Sequence, residues 1–87
     1  MKHASTEALM GLTSLLTQIR SIDVLVEKSP GVFYRRSKAF LHFHEDSEGL
    51  FVDVRLHVDE PFTRLPVTTS RQQSALVSDI RRALSHQ

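Results

Sequence analysis

Apolar and polar side chains alternate from Lys38 to Val58, which reads KAFLHFHEDSEGLFVDVRLHV. Strict alternation is the pattern of a half-buried strand, because successive side chains point to opposite faces. Two such runs, 38–44 and 50–57, flank Asp46-Ser47-Glu48-Gly49. Aspartate favours the start of a type I turn and glycine its left-handed exit, so this is a hairpin loop. Pairing Glu45 with Leu50 then sets Phe43 opposite Val52, Leu41 opposite Val54 and Ala39 opposite Leu56, all on one face. The other face receives His44 opposite Phe51, His42 opposite Asp53, Phe40 opposite Arg55 and Lys38 opposite His57.

Upstream, residues 5–20 carry Ala8, Leu9, Leu12, Leu15, Leu16 and Ile19 at helical spacing. Ser5 or Thr6 can cap this helix and Glu7 suits its first turn. Gly11 disfavours a helix interior and is expected to admit close approach of the sheet. Residues 22–27 are rich in β-branched side chains and predict a strand. Ser29-Pro30-Gly31 turns the chain into a second strand from Val32 to Arg35, and Arg36-Ser37 is the next reversal. Residues 59–69 hold two prolines and no clean period, with an edge strand at 62–65. Thr69 or Ser70 opens a last helix over 70–85, with Ser70 and Gln73 as its capping box. Leu76, Val77, Ile80, Ala83 and Leu84 form its apolar stripe.

The fold class is therefore α+β: a two-layer sandwich in which an antiparallel meander of three to four strands carries N- and C-terminal helices on one face. The expected core is Leu9, Leu12, Leu16, Leu41, Phe43, Val52, Val54, Leu56, Leu76, Ile80 and Leu84. Eighty-seven residues make a single domain, 1–87, and folding at this size buries only about 60–65% of the chain's surface. A sizeable ligand is then expected on the surface, in a shallow groove or at a dimer interface.

Composition narrows the function classes. With no cysteine, disulfides, thiolate metal sites and a thiol nucleophile are excluded. No run approaches the roughly 18–20 apolar residues of a membrane span. The segment 1–6 does not read as a signal peptide, so a cytoplasmic location is expected. A formal net charge of +1 gives no electrostatic case for nucleic acid and argues against that partner. Arg35, Arg36 and Lys38 form the one basic cluster, most simply a solvated hairpin turn.

The candidate surface is the face opposite the helices, with Phe40, His42, His44, Phe51, Asp53, Arg55 and His57. Two phenylalanines on an open face favour a binding or self-associating module, with a second copy or another protein as the partner. The alternative is a metal site at His42, His44 and Asp53, since imidazole and carboxylate suit zinc or iron. The same residues could do acid–base chemistry, with Asp53 orienting His42. The simpler reading of that cluster is a polar sheet face with a His42–Asp53 hydrogen bond. A further alternative is weak single-stranded nucleic-acid binding, with Phe40 and Phe51 as stacking platforms. No nucleophile motif, phosphate loop or cofactor fingerprint occurs, so no cofactor is implied and an enzyme is the less favoured class.

The segment 33–56 resembles a small group of uncharacterised bacterial proteins. The residues that carry this are Phe40-Leu41-His42-Phe43-His44-Glu45-Asp46, Gly49-Leu50 and Asp53-Val54-Arg55-Leu56. The resemblance implies that His42, His44, Asp53 and Arg55 share one hairpin, and it implies no activity or catalytic residue. A more distant similarity is to small domains labelled luciferase-like, but this chain has no flavin or coenzyme motif and is too short for a luciferase barrel.

Overall fold

Nine elements follow one another in the computed structural model, which describes residues 2–57 and 59–85. They are β1 (Lys2–His3), α1 (Thr6–Met10), α2 (Thr13–Arg20), β2 (Leu25–Ser29), β3 (Val32–Arg35), β4 (Lys38–Asp46), β5 (Gly49–Val54), β6 (Thr63–Pro66) and α3 (Ser70–Ser85). Val58, the end of the alternating run, and Met1, the first residue of the segment 1–6, lie outside the described residues. The fold is α+β, with one antiparallel sheet in the order β2-β3-β4-β5-β6 and β1 paired to β4. Among the described residues the sheet has six strands, where the sequence pattern predicts three to four. Among the same residues no helix is long and apolar enough to cross a membrane.

The β4–β5 hairpin takes the expected register, with Leu41 opposite Val54, His42 opposite Asp53, Phe43 opposite Val52 and His44 opposite Phe51. Its turn is tighter than expected, because Asp46 also pairs with Gly49. The Glu48 amide donates to Asp46 Oδ1 at 2.8 Å, an aspartate side chain standing in for a backbone acceptor. Gly49 has φ +140°, and a Cβ there would lie 2.5 Å from Thr68 Oγ1, so only glycine fits. The Pro30-Gly31 turn likewise has Gly31 at φ +75°, the conformation that follows proline in a type II turn.

β4 outruns β3. Val32 to Arg35 pair with residues 38–42, which leaves the far end of β4 with an open edge. β1 fills it: Lys2 pairs with Glu45 and His3 with His44. An unpaired strand edge exposes backbone donors and acceptors, so even a two-residue strand is held there. The Ala4 amide donates to the Phe43 carbonyl at 3.0 Å, and the Ser5 amide to Glu45 Oε1 at 2.7 Å. Ser5 Oγ then caps α1 by accepting from the Ala8 amide.

The expected single helix over 5–20 is two. The Leu12 amide donates to the Leu9 carbonyl, a three-residue spacing that tightens the chain after Gly11, and α2 starts afresh. Gly11 does not serve a close approach, since a Cβ there would meet only the Ala8 carbonyl at 3.4 Å. At the other end the capping box lies one residue earlier than expected. Thr69 Oγ1 accepts from the Gln72 amide, and Gln72 Oε1 accepts from the Thr68 and Thr69 amides. Gln73 instead donates to the Val67 carbonyl.

The helices and one sheet face share a core. Leu12, Leu15, Leu16 and Ile19 from the first helical segment meet Phe33, Leu41, Phe43, Val52 and Val54 from the sheet and Leu76 and Ile80 from α3. Burying each such side chain contributes about 1.5–3 kcal/mol. Leu56 and Leu84, expected inside, are only partly buried against this cluster.

Two residues expected on the open face are elsewhere. Phe40 is 4% exposed and belongs to the core. The cause is a β-bulge: Phe33 pairs with Leu41 but Tyr34 pairs with Ala39, so Phe40 is an extra residue on β4. Alternation breaks there, and Phe40 is buried beside Leu41. His57 is also displaced. β5 stops at Val54, and His57 is exposed beside Asp79, Arg82 and Ala83 of α3.

Candidate metal-binding site

Strand alternation along β4 sets His42 and His44 on the face away from the helices, and the β1–β4 ladder brings His3 opposite His44. Three imidazoles meet there. Ring centroids lie 4.6 Å apart for His42 and His44, 5.2 Å for His3 and His44, and 5.6 Å for His3 and His42. One nitrogen from each ring falls within 4.8 Å of the others. Nitrogens bound tetrahedrally to zinc stand about 3.3 Å apart, given a Zn–N distance of about 2.0–2.1 Å.

Burial grades across the cluster. His44 is 8% exposed, His42 is half-buried and His3 is exposed. Both ring nitrogens of His44 and Nδ1 of His42 are buried with no hydrogen-bond partner. Burial holds the His42 pKa below its ordinary 6.5, and the neighbouring His44 adds to this while Asp53 opposes it. Desolvation penalises the imidazolium, so His42 is neutral at pH 7 and keeps a lone pair for a Lewis acid.

Asp53, the third ligand that the sequence suggests, is engaged by another side chain. Arg64 of β6 holds it through both oxygens, Nε to Oδ1 at 2.7 Å and Nη2 to Oδ2 at 2.8 Å. That guanidinium keeps the Asp53 carboxyl below its usual range, against the opposing effect of burial. The expected His42–Asp53 hydrogen bond does not form. Asp53 Oδ2 lies 3.0 Å from His44 Nε2, close enough for a charge contact but not aligned for a hydrogen bond. Asp53 thus faces His44 Nε2 more closely than His42, its partner across the ladder.

Phe62, just before β6, walls the cluster. Its ring stands 5.2 Å from His42, edge to face, and carries the Arg55 guanidinium 4.4 Å above its centroid. Arg55 is thus on the open face as expected, but committed to an aromatic partner. Phe51 is half-buried between His44 and Pro66 in the ladder. With Phe40 in the core, the expected patch of two phenylalanines is reduced to Phe51.

The structure thus assembles His42, His44, Asp53, Arg55 and Phe51, and leaves out Phe40 and His57. It adds His3, Phe62 and Arg64. Lys2-His3 is too short to show a period, and residues 59–69 show only a weak one, so hydrophobic patterning does not bring these three to the histidines. Three imidazoles with the carboxylate of Asp53 behind them can hold a divalent transition metal and leave a fourth position for water or a ligand. No family model, curated protein or solved structure matches this chain.

Proposed function

We propose that the protein is a metal-binding module that holds a divalent transition-metal ion, zinc foremost, through His3, His42 and His44. The observation that carries this reading is the buried His44 ring, whose nitrogens have no hydrogen-bond partner while two further imidazoles converge on it. Buried polar nitrogens are normally satisfied, and a divalent cation is the partner that suits three converging imidazoles at once. Asp53, pinned by Arg64, is the outer carboxylate that steadies His44. His3, the exposed member, leaves one side of the cluster open to solvent, where a bound ion would be accessible to a small ligand or a side chain from a protein partner.

The test is a ¹H–¹⁵N NMR titration of untagged protein with Zn²⁺, following imidazole and amide resonances together. Saturable shifts at micromolar metal, confined to His3, His42, His44 and their neighbours, are expected. Weak shifts spread over all the histidines would leave the cluster as a polar sheet face.

A further inference from the structure

Four cationic side chains surround a pocket of about 200 Å³ at the other end of the same hairpin. Arg35 ends β3, Arg36 lies in the turn and Lys38 begins β4, while Arg55 directly follows β5. Phe40, buried by the β-bulge, and Leu56 supply apolar walls, and among the described residues no carboxylate lines the pocket. Among the described residues none of the four cations forms a salt bridge. The Nε atoms of Arg35 and Arg55 are buried without a hydrogen-bond partner.

The turn itself is held in an unfavourable conformation. Arg36 is the one described residue other than glycine with positive φ, at 59°. A long side chain is uncommon there, and glycine or asparagine is the usual occupant of such a hairpin position. Strained backbone of this kind clusters at ligand clamps. Arginine at this position, where glycine would relax the turn, sets a cation beside Arg35 and Lys38.

We infer that this pocket binds a small organic phosphate, with its phosphate on the guanidinium groups and its apolar part against Phe40 and Leu56. Arginine forks match phosphate oxygens two at a time, which satisfies the buried Nε donors. Four cations with no acid among them favour a dianion over a monocarboxylate. The pocket is independent of the three-histidine site, although Phe62 touches both Arg55 and His42.

The full chain is titrated with phenyl phosphate and with inorganic phosphate by ¹H–¹⁵N NMR, with chelator present so that metal plays no part. Saturable shifts in residues 35–40 and 55–56 are expected, with phenyl phosphate bound about tenfold more tightly than inorganic phosphate. Arg35→Gln and Arg55→Gln should each weaken binding about tenfold, whereas Arg71→Gln on α3 should leave it unchanged. Arg36→Gly suits the turn, so it should keep the melting temperature and still weaken binding. Equal affinity for the two phosphates would overturn the inference, as would Arg35→Gln and Arg55→Gln titrating like Arg71→Gln. Either result would mark a cationic surface without a pocket for the ligand.

Discussion

His3 stands directly across the ladder from His44, with ring planes at 86° and centroids 5.2 Å apart. The exposed ring belongs to a two-residue strand and the buried one to the centre of the sheet. Whatever binds between them ties the start of the chain to β4. His3→Ala should therefore lower zinc affinity by at least about tenfold, since it removes one of the three proposed ligands. Its own melting temperature without metal should match that of the wild type, because His3 is exposed. Competition against a chromophoric chelator measures the first and thermal unfolding the second. Unchanged zinc affinity would exclude His3 from the site.

Asp53 tests the same centre from behind. Asp53→Asn keeps the shape but removes the charge that Arg64 grips and His44 meets. Outer carboxylates of this kind typically govern metal affinity by about 10–100-fold, so a loss in that range is expected in the chelator competition. A loss in stability with full zinc affinity would make Asp53 a purely structural partner of Arg64.

A different carboxylate, Glu27, contributes to the response to acid. Glu27 accepts from Arg20 Nε at 2.6 Å and from the Gly31 amide at 3.0 Å, joining α2 to the β2–β3 turn. The Arg20 hydrogen bond and then the Gly31 amide lower the Glu27 pKa, with burial opposing them. A carboxylate with a depressed folded pKa stabilises fully above its ordinary 4.5 and loses that stability as pH falls through the folded value. Wild-type protein should thus lose denaturation midpoint below pH 4.5 more steeply than Glu27→Gln. Parallel profiles for the two proteins would show that the ion pair is screened to nothing by solvent.

Gly49 is closed in on two counts. Its φ of +140° suits glycine, and Thr68 Oγ1 occupies the space a Cβ would need while it hydrogen-bonds both backbone groups of Leu50. Gly49→Ala should destabilise by about 1–3 kcal/mol. In a Thr68→Ala background the same substitution should cost less, because the clash is gone and only the backbone strain remains. An equal loss in both backgrounds, read from urea midpoints, would assign the whole effect to φ.

The β4–β5 register is legible in the sequence because turn chemistry and two-sided alternation agree. Asp46 and Gly49 close the hairpin, and Leu41, Phe43, Val52 and Val54 share its inner face. Phe40 is not legible, because the bulge that buries it depends on how β4 pairs with Tyr34 and Phe33, which no local pattern records. His3 escapes notice for a related reason. Its strand exists only because β4 is longer than β3, a fact about two other elements. Arg64 lies in a segment bracketed by prolines, whose weak period points to an edge strand but not to its partner. The histidine pair is visible as a pair, while its third member and the true partner of Asp53 require the assembled sheet.

The helix break is the place where local propensity decides the outcome without help from packing. Gly11 has helical φ −73° and ψ −7°, and a methyl group at its Cα would meet only the Ala8 carbonyl, at 3.4 Å. No tertiary contact therefore demands glycine there, and alanine fits the same backbone. Gly11→Ala should stabilise the protein by about 0.4–1 kcal/mol, through lower entropy of the unfolded chain and better helix propensity. A higher urea midpoint with an unchanged slope is the expected result. A lower midpoint would show that the turn between α1 and α2 needs freedom that alanine denies, and that the backbone at Gly11 and Leu12 is what keeps the two helices apart.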